Sequence, residues 1–284
     1  MKIRSGTDGI LPGQQRRRDR ILAHLPEPVP VRGTHAASAA GRNAPMFETD
    51  GVTLPASDYN DFAEAYEAAN ETGLFNAYYD RPAMLDLAGD VSGRRILDAG
   101  CGSGPLTAAL RAKGAVVTGF DVSSAMIDMA RKRLGEDADL HVADLSKPLP
   151  FADAQFDDVV SSLVLHYLED WSGPLAELRR VLKPGGRVIL STMHPAGYAI
   201  TYPEADYFAV TKYSEDYVMD GKTVWLTMWH RPLHAMSDAF ADAGFRIVSI
   251  SEPPPAPDTP VELLPPDKGS GRFMCFLYFV LESV

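Results

Sequence analysis

The sequence predicts an α/β fold in which a mostly parallel β-sheet is covered by helices on both faces. Three observations carry that prediction. From residue 94 onward, short apolar runs of strand length alternate with segments whose apolar residues recur at helical spacing. The apolar pair Ile96-Leu97 passes almost directly into three alternating glycines, Gly100, Gly102 and Gly104, and then into a helical pattern. Further on, Lys183-Pro184-Gly185-Gly186 stops a helix just before another apolar run, with glycine beyond the helix end.

Residues 55–90 read as two helices. Tyr59, Phe62, Tyr66 and Ala69 share one spacing and Leu74, Tyr78, Met84 and Leu87 another, with a break at Glu71-Thr72-Gly73. Pro82 is placed to begin a helix rather than interrupt one. The regular part follows: strand Arg95–Asp98, helix 104–113, strand Ala115–Phe120, and a helix over 123–134 carrying Met126, Ile127, Ala130 and Leu134. Strands Leu140–Val142 and Phe156–Leu163 come next, then a helix with Leu175, Leu178, Val181 and Leu182, then strand Arg187–Met193. Residues 195–224 interrupt the pattern and hold five of the eleven tyrosines, with Phe208, Trp225 and Trp229 close by. A connection that long reads as a lid or binding loop. A helix with Leu233, Met236, Phe240 and Ala243 ends at Gly244. Strand Phe245–Ile250, a proline-rich loop and strand Phe273–Leu281 complete a set of seven strands.

The glycine turn marks the ligand site. Glycine permits the dihedrals of a sharp strand-to-helix turn and leaves backbone open to a ligand, and open parallel sheets bind ligands at the carboxyl ends of their strands. A dinucleotide fingerprint has the spacing G-x-G-x-x-G. Here the spacing is G-x-G-x-G, and Asp98 stands two residues before the first glycine. A carboxylate there repels a pyrophosphate and suits a ligand that carries an ammonium group.

Asp98-Ala-Gly-Cys-Gly-Ser-Gly104 resembles the first motif of class I S-adenosylmethionine-dependent methyltransferases, and the downstream residues agree with it in order and spacing. They are Asp121 at the second strand end, Ala143-Asp144-Leu145 after the third, and Leu178-Arg-Arg-Val-Leu-Lys-Pro-Gly-Gly186. The likeness covers 94–194 closely and 225–284 more loosely, and is nearest the bacterial small-molecule (type 11-like) branch. It implies a Rossmann-like seven-stranded sheet with a C-terminal antiparallel strand, N-terminal cap helices over 55–90, and an aromatic lid or substrate insertion over 195–229. S-adenosylmethionine is the implied cofactor, with S-adenosylhomocysteine as product. By the same resemblance Asp98, Gly100, Gly102 and Gly104 cradle the cofactor, and Asp121 with Val122 and Met126 hold the ribose side. Asp144 meets the adenine amino group beside Leu145, and Ser161 and Ser162, which close the fourth strand, lie near the methionine part. The Asn/Asp-Pro-Pro-aromatic signature of enzymes that methylate nucleobase or glutamine nitrogen is replaced here by Leu163-Val164-Leu165-His166.

Methyl transfer from a sulfonium needs alignment and exclusion of water, and a base only where the acceptor must lose a proton. The base candidates are His194, after the fifth strand, then His166 and Tyr79; Tyr78, Tyr198 and Trp229 are candidates for the acceptor wall. No metal-ligand spacing is visible, so no metal is expected.

Composition bounds the alternatives. Hydrophobic residues make up 45% and charged residues 23% of 284, ordinary for a globular protein. The two cysteines, Cys101 and Cys275, form no disulfide framework, and no apolar run reaches membrane-spanning length, so a cytoplasmic protein without a membrane partner is expected. The net charge of −11 argues against nucleic-acid binding. Residues 1–45 hold eight Lys and Arg against three Asp and Glu, a net of +5 that leaves −16 to the rest, and read as a disordered basic tail before a single domain over 46–284. The expected function is methyl transfer to a small, aromatic or apolar metabolite at oxygen, nitrogen or electron-rich carbon, with oligomeric state unassigned. A nicotinamide-dependent oxidoreductase and a non-catalytic cofactor-binding regulator are the competing readings.

Overall fold

In the computed structural model of the protein, residues 63–219, 222–264 and 274–284 are described. The expectations for the 1–45 tail, for Tyr59 and Phe62, and for Phe273 fall outside them. The described residues open with helix α1 (Ala63–Thr72), a π-helical segment Leu74–Asp80 and helix α2 (Arg81–Ala88). The expected break falls at Gly73, which is extended, and Pro82 lies in the first turn of α2. The π-helical turn was not legible in the sequence.

The alternation that follows is β1 (Arg95–Ala99), α3 (Pro105–Ala112), β2 (Val116–Asp121), α4 (Ser124–Leu134), β3 (Leu140–Val142), β4 (Phe156–Ser162), α5 (Ser172–Val181) and β5 (Leu182–Met193). Next come α6 (Pro195–Thr201), a ribbon of β6 (Thr211–Met219) and β7 (Lys222–His230), α7 (Leu233–Asp242), β8 (Phe245–Ser251) and β9 (Phe276–Ser283). The main sheet has seven strands in the order β3-β2-β1-β4-β5-β9-β8. Neighbours from β3 to β5 run parallel, and β9 runs antiparallel to both β5 and β8. The expected Rossmann-like sheet with its reversed last strand is therefore the observed one.

Strand periodicity decides which side chains reach which layer. In β1, Leu97 and Ala99 join the apolar cluster built with Leu175 and Leu178 of α5 and Met236 and Phe240 of α7. Ile96 joins the opposite cluster, with Ala83 and Met84 of α2 and Leu106 and Leu110 of α3. Asp98 has the parity of Ile96 and faces the cap helices. Ser162 likewise has the parity of Val160, which belongs to that second cluster.

Two expectations are corrected. The run Lys183–Gly186 is not a break between helix and strand: β5 begins at Leu182, and the run bulges between the pairs Phe156↔Leu182 and Asp158↔Arg187. Residues 195–229 are not a loop. They form α6 and an antiparallel ribbon in continuous register from Thr211↔His230 to Met219↔Lys222. The buried residues Tyr213 on β6 and Val224, Leu226 and Met228 on β7 alternate as a half-buried ribbon requires. That period of two was present in the sequence, masked by a high count of aromatics.

At the opposite end of β4 from the glycine turn lies a buried ion cluster. Asp158, fully buried, accepts from Arg94 Nη2 at 2.8 Å, from Arg187 Nε at 2.8 Å and from Arg187 Nη2 at 2.9 Å, and it also pairs with Arg94 Nε. Burial alone would raise its pKa, but hydrogen bonds from Arg187 and Arg94 outweigh that and hold it below the ordinary value. The cluster ties β4 to β5 and to the start of β1. Replacement Asp158→Ala is expected to destabilise the protein by about 2–4 kcal/mol, somewhat under the loss for a fully buried pair because both guanidinium groups keep partial solvent contact. Denaturant unfolding at neutral pH measures this. Because the folded pKa is depressed, the stabilisation is complete above the ordinary aspartate value and is lost as pH falls below it.

Candidate cofactor site

The site is built on the turn after β1. Gly100, Gly102 and Gly104 all adopt positive φ, at 77°, 54° and 84°. Two of these positions show why. A Cβ on Gly100 would lie 2.4 Å from Val164 Cγ2, whereas a Cβ on Gly102 would meet nothing within 4 Å. Gly100 is thus required by packing, and Gly102 borders open space above the turn. The turn is fastened to β2 by Asp121, whose carboxylate accepts from Gly102 N and Ser123 N, both at 2.9 Å. Burial of Asp121 outweighs these bonds and raises its pKa.

Beside the turn lies a cleft open to solvent. Asn76, Asp80 and Arg81 from the cap line it together with Asp98, Gly100, Gly102, Ser162 and Leu163. Leu163 is one of two described non-glycine residues with positive φ, at 56°, a strained backbone of the kind that gathers at functional sites. Asp98 is buried and takes a 2.6 Å hydrogen bond from Thr107 Oγ1. Burial is the main cause that pushes its pKa to about 7, with the charges of Asp121 and Asp80 adding to it. Asp80 is buried as well and accepts from Ser162 Oγ at Oδ2, while Oδ1 has no hydrogen-bond partner. Burial pushes its pKa to about 6 against the opposing effects of Ser162, Ser191, Arg81 and Tyr278. One cleft therefore holds two carboxyl groups that gain from a cationic ligand.

The sequence-predicted residues divide. Asp98, Gly100 and Gly102 line the cleft, and Asp121 braces its floor. Gly104 is the N-cap of α3, and a Cβ there would approach Leu134 to 2.9 Å, so its part is in packing. Val122 is exposed at the end of β2. Met126 and Leu145 are buried in the protein interior rather than beside an open site. Asp144 is bound into its own turn, accepting from Ser146 N at 2.9 Å and Ser146 Oγ at 2.7 Å and pairing with Lys147. Of Ser161 and Ser162, only Ser162 lines the cleft: successive strand residues face opposite sides, and Ser162 is the one on the cleft side.

The base candidates are corrected too. His194 caps α6, its Nδ1 accepting from Ala196 N at 3.1 Å, while Nε2 lies 2.6 Å from Glu252 Oε1. Nδ1 accepts, so the proton sits on Nε2 and points at Glu252, and the lone pair a base would use is committed to the cap. His166 is buried, and desolvation drives its pKa to about 3. Tyr79 is buried, accepts from Cys275 N at 3.3 Å, and has its pKa raised chiefly by burial. None of the three lines the cleft. Among the acceptor-wall candidates, Tyr198 stacks on His230 with ring centroids 4.0 Å apart and packs against Tyr213. Trp229 pairs with Lys212 and so has opposite parity on the ribbon, which separates it from Tyr198. Tyr78 is half-buried, and its carbonyl accepts from Ala256 N.

Asp80, Arg81 and Asn76 line the cleft without being among the sequence-predicted site residues. The available signal was the charged pair Asp80-Arg81 inside an otherwise aromatic helical stretch. Among the described residues no group of three or more His, Cys, Asp and Glu side chains is arranged to hold a metal, and no helix is long and apolar enough to cross a membrane.

Comparison with known proteins agrees with this geometry. Residues 97–190 match the family model described as a methyltransferase domain. This segment is similar to class I S-adenosylmethionine-dependent methyltransferases. Its curated relatives include a malonyl-[acyl-carrier protein] O-methyltransferase of Erwinia pyrifoliae, 38% identical over 138 residues that make up 49% of this chain and 48% of that one. Another is the ubiquinone/menaquinone biosynthesis C-methyltransferase UbiE of Desulfotalea psychrophila, 39% identical over 131 residues, 45% of this chain and 53% of the relative. The chain spans about half the length of these curated relatives. Among solved structures, an S-adenosylmethionine dependent methyltransferase from Mesorhizobium loti superposes with a TM-score of 0.55 at 27% identity, covering 71% of this chain and 96% of that one.

The cleft of the methyltransferase domain fits the cofactor on its own evidence. The open space above Gly102, the buried acids and the orphaned Asp80 Oδ1 suit a ligand bearing positive charge against exposed backbone. Replacement Gly100→Ala combines the Val164 overlap with a positive φ and is expected to lower stability by about 1–3 kcal/mol, read by thermal melting. The two acids set a second expectation. Their folded pKa values are raised, so the folded state holds more protons than the unfolded chain, and ligand-free stability should fall as pH rises from about 4 through about 7. Melting temperatures of the ligand-free protein between pH 5 and 8 check this. A flat profile would mean that these carboxyls do not titrate in that window.

Proposed function

We propose that this domain transfers a methyl group from S-adenosylmethionine to a small, aromatic or apolar acceptor. The observation that carries the reading is the cleft itself: a buried carboxyl at Asp98 and a guanidinium at Arg81 border one glycine turn. That pair matches the ammonium and carboxylate of an α-amino acid, the end of the cofactor that a nucleotide alone lacks. Asp98 holds the ammonium in this reading, Arg81 takes the carboxylate, and Asp121 keeps the turn closed on β2 while its remaining lone pairs serve ribose hydroxyls. The cofactor supplies an electrophilic methyl on a sulfonium and leaves as a neutral thioether, so the protein needs no acid for the leaving group. The chain's task is alignment and exclusion of water.

The acceptor side differs from the sequence-based expectation. No imidazole lines the cleft, and His194 is engaged as a cap. The acceptor best served by this site is one whose accepting atom is already ionised or can shed its proton after transfer. The ribbon and α6, with Tyr198, Tyr202 and Tyr213 packed together, supply the apolar surface that favours planar or apolar molecules. These elements lie outside the matched segment 97–190, so the acceptors named for the relatives do not carry over. A nicotinamide cofactor is disfavoured because Asp98 and Asp80 would face its pyrophosphate.

Calorimetry is expected to show binding of S-adenosylmethionine and S-adenosylhomocysteine and none of NAD. Replacement Asp98→Asn should weaken both sulfur ligands by about tenfold or more, the loss of one charge-assisted contact. Binding of NAD with no response to either sulfur ligand would overturn the assignment. Labelled-methyl assays over panels of phenols, carboxylic acids and activated ring carbons would then locate the acceptor class.

A further inference from the structure

We propose that Asp80 is the residue that selects the positively charged methyl donor over its neutral demethylated product, by lining the cleft with a carboxyl group that compensates the sulfonium charge. This rests on the methyl-transfer reading above and goes beyond it, since it concerns discrimination between two ligands that the site binds.

The argument starts from a count of charges. The cleft is lined by three charged side chains, Asp98, Arg81 and Asp80. An α-amino acid end uses Asp98 and Arg81 and leaves Asp80 over. The donor has one charge more than its product, the sulfonium, and Asp80 is the one complementary group left for it. The geometry agrees. Asp80 is 1% exposed, its Oδ2 is held by Ser162 Oγ, and its Oδ1 is buried without a partner. A buried carboxylate oxygen left unsatisfied is costly unless a ligand compensates it. The groups around Asp80 supply no competing full cation beyond its chain neighbour. Ser162 comes from β4, the hydroxyl of Ser191 from β5 and that of Tyr278 from β9, Arg81 lies next in the chain, and Asp98 on β1 is a second acid. The Tyr278 hydroxyl also lacks a partner.

The ligand comparison removes the confounding acid. Donor and product carry the same ammonium, so titration of Asp98 affects both alike and cancels in the ratio of their affinities. Titration of Asp80 acts on the shared ammonium end of both ligands through Asp98 and, in addition, on the sulfonium of the donor alone, so it does not cancel in the ratio. The wild-type preference for S-adenosylmethionine should therefore be full above about pH 7 and fall as Asp80 takes up a proton near about pH 6.

The test is calorimetry of S-adenosylmethionine and S-adenosylhomocysteine with wild type and Asp80→Asn, from about pH 5 to about pH 8. The affinity ratio of wild type should drop about tenfold by about pH 5, the loss for a group with a pKa one unit higher. In Asp80→Asn the ratio should be about tenfold lower at pH 8 and independent of pH. A variant ratio equal to the wild-type ratio overturns the proposal. Where the variant fails to fold, the wild-type profile decides: a pH-dependent ratio supports the proposal and a flat one overturns it. If wild type binds neither ligand, the functional assignment fails first, which is a distinguishable result.

Discussion

The architecture depends on one close approach. After β1 the chain must reverse into α3 while passing against Val164, and a side chain at residue 100 would overlap that valine. Only a backbone without Cβ can make the passage, and Asp121 then locks the turn by accepting from the amide of Gly102. From this follow the position of α3, the packing of Leu106 and Leu110 against the sheet, and the open space over Gly102 beside the cleft. The geometry that closes the fold at this point is the same geometry that opens a site.

The buried charges fall into two groups with opposite electrostatics. At one end of β4, Asp158 is compensated by two arginines and has a lowered pKa. At the other end, Asp80 and Asp98 are enclosed with little compensation and have raised values. The same residue type is thus structural in one place and ligand-ready in the other. The difference lies in whether the partner charge comes from the chain. Strand β4 links the two, since Asp158 and Ser162 belong to it.

Much of this was legible in the sequence, and the reasons are local. The strand-turn-helix over 95–112 declares itself because Ile96, Leu97 and the three glycines leave no other reading, and the parallel order follows from the alternation after it. What escaped depends on relations that no local pattern encodes. The face of a strand residue near a strand end turns on one position, so of the adjacent Ser161 and Ser162 only Ser162 lines the cleft. Trp229 and Tyr198 looked like neighbours by composition, yet ribbon parity separates them. His194 looked available because it follows a strand, but Glu252, 58 residues away, and the amide of Ala196 engage both ring nitrogens. Asp80 was given no site role because its enclosure is a property of burial among β4, β5 and β9, not of the sequence around it.

The ribbon of β6 and β7 hydrogen-bonds to itself and takes no place in the seven-stranded sheet. Its ladder closes within residues 211–230, between two elements that end in their own caps. Such a hairpin can be lengthened, shortened or exchanged for another without rewriting a single pairing in the sheet beneath. The sheet that carries the cleft and the aromatic hairpin are in this sense written on separate pages of the chain. A lineage, or a designer, can revise one while leaving the other as it stands.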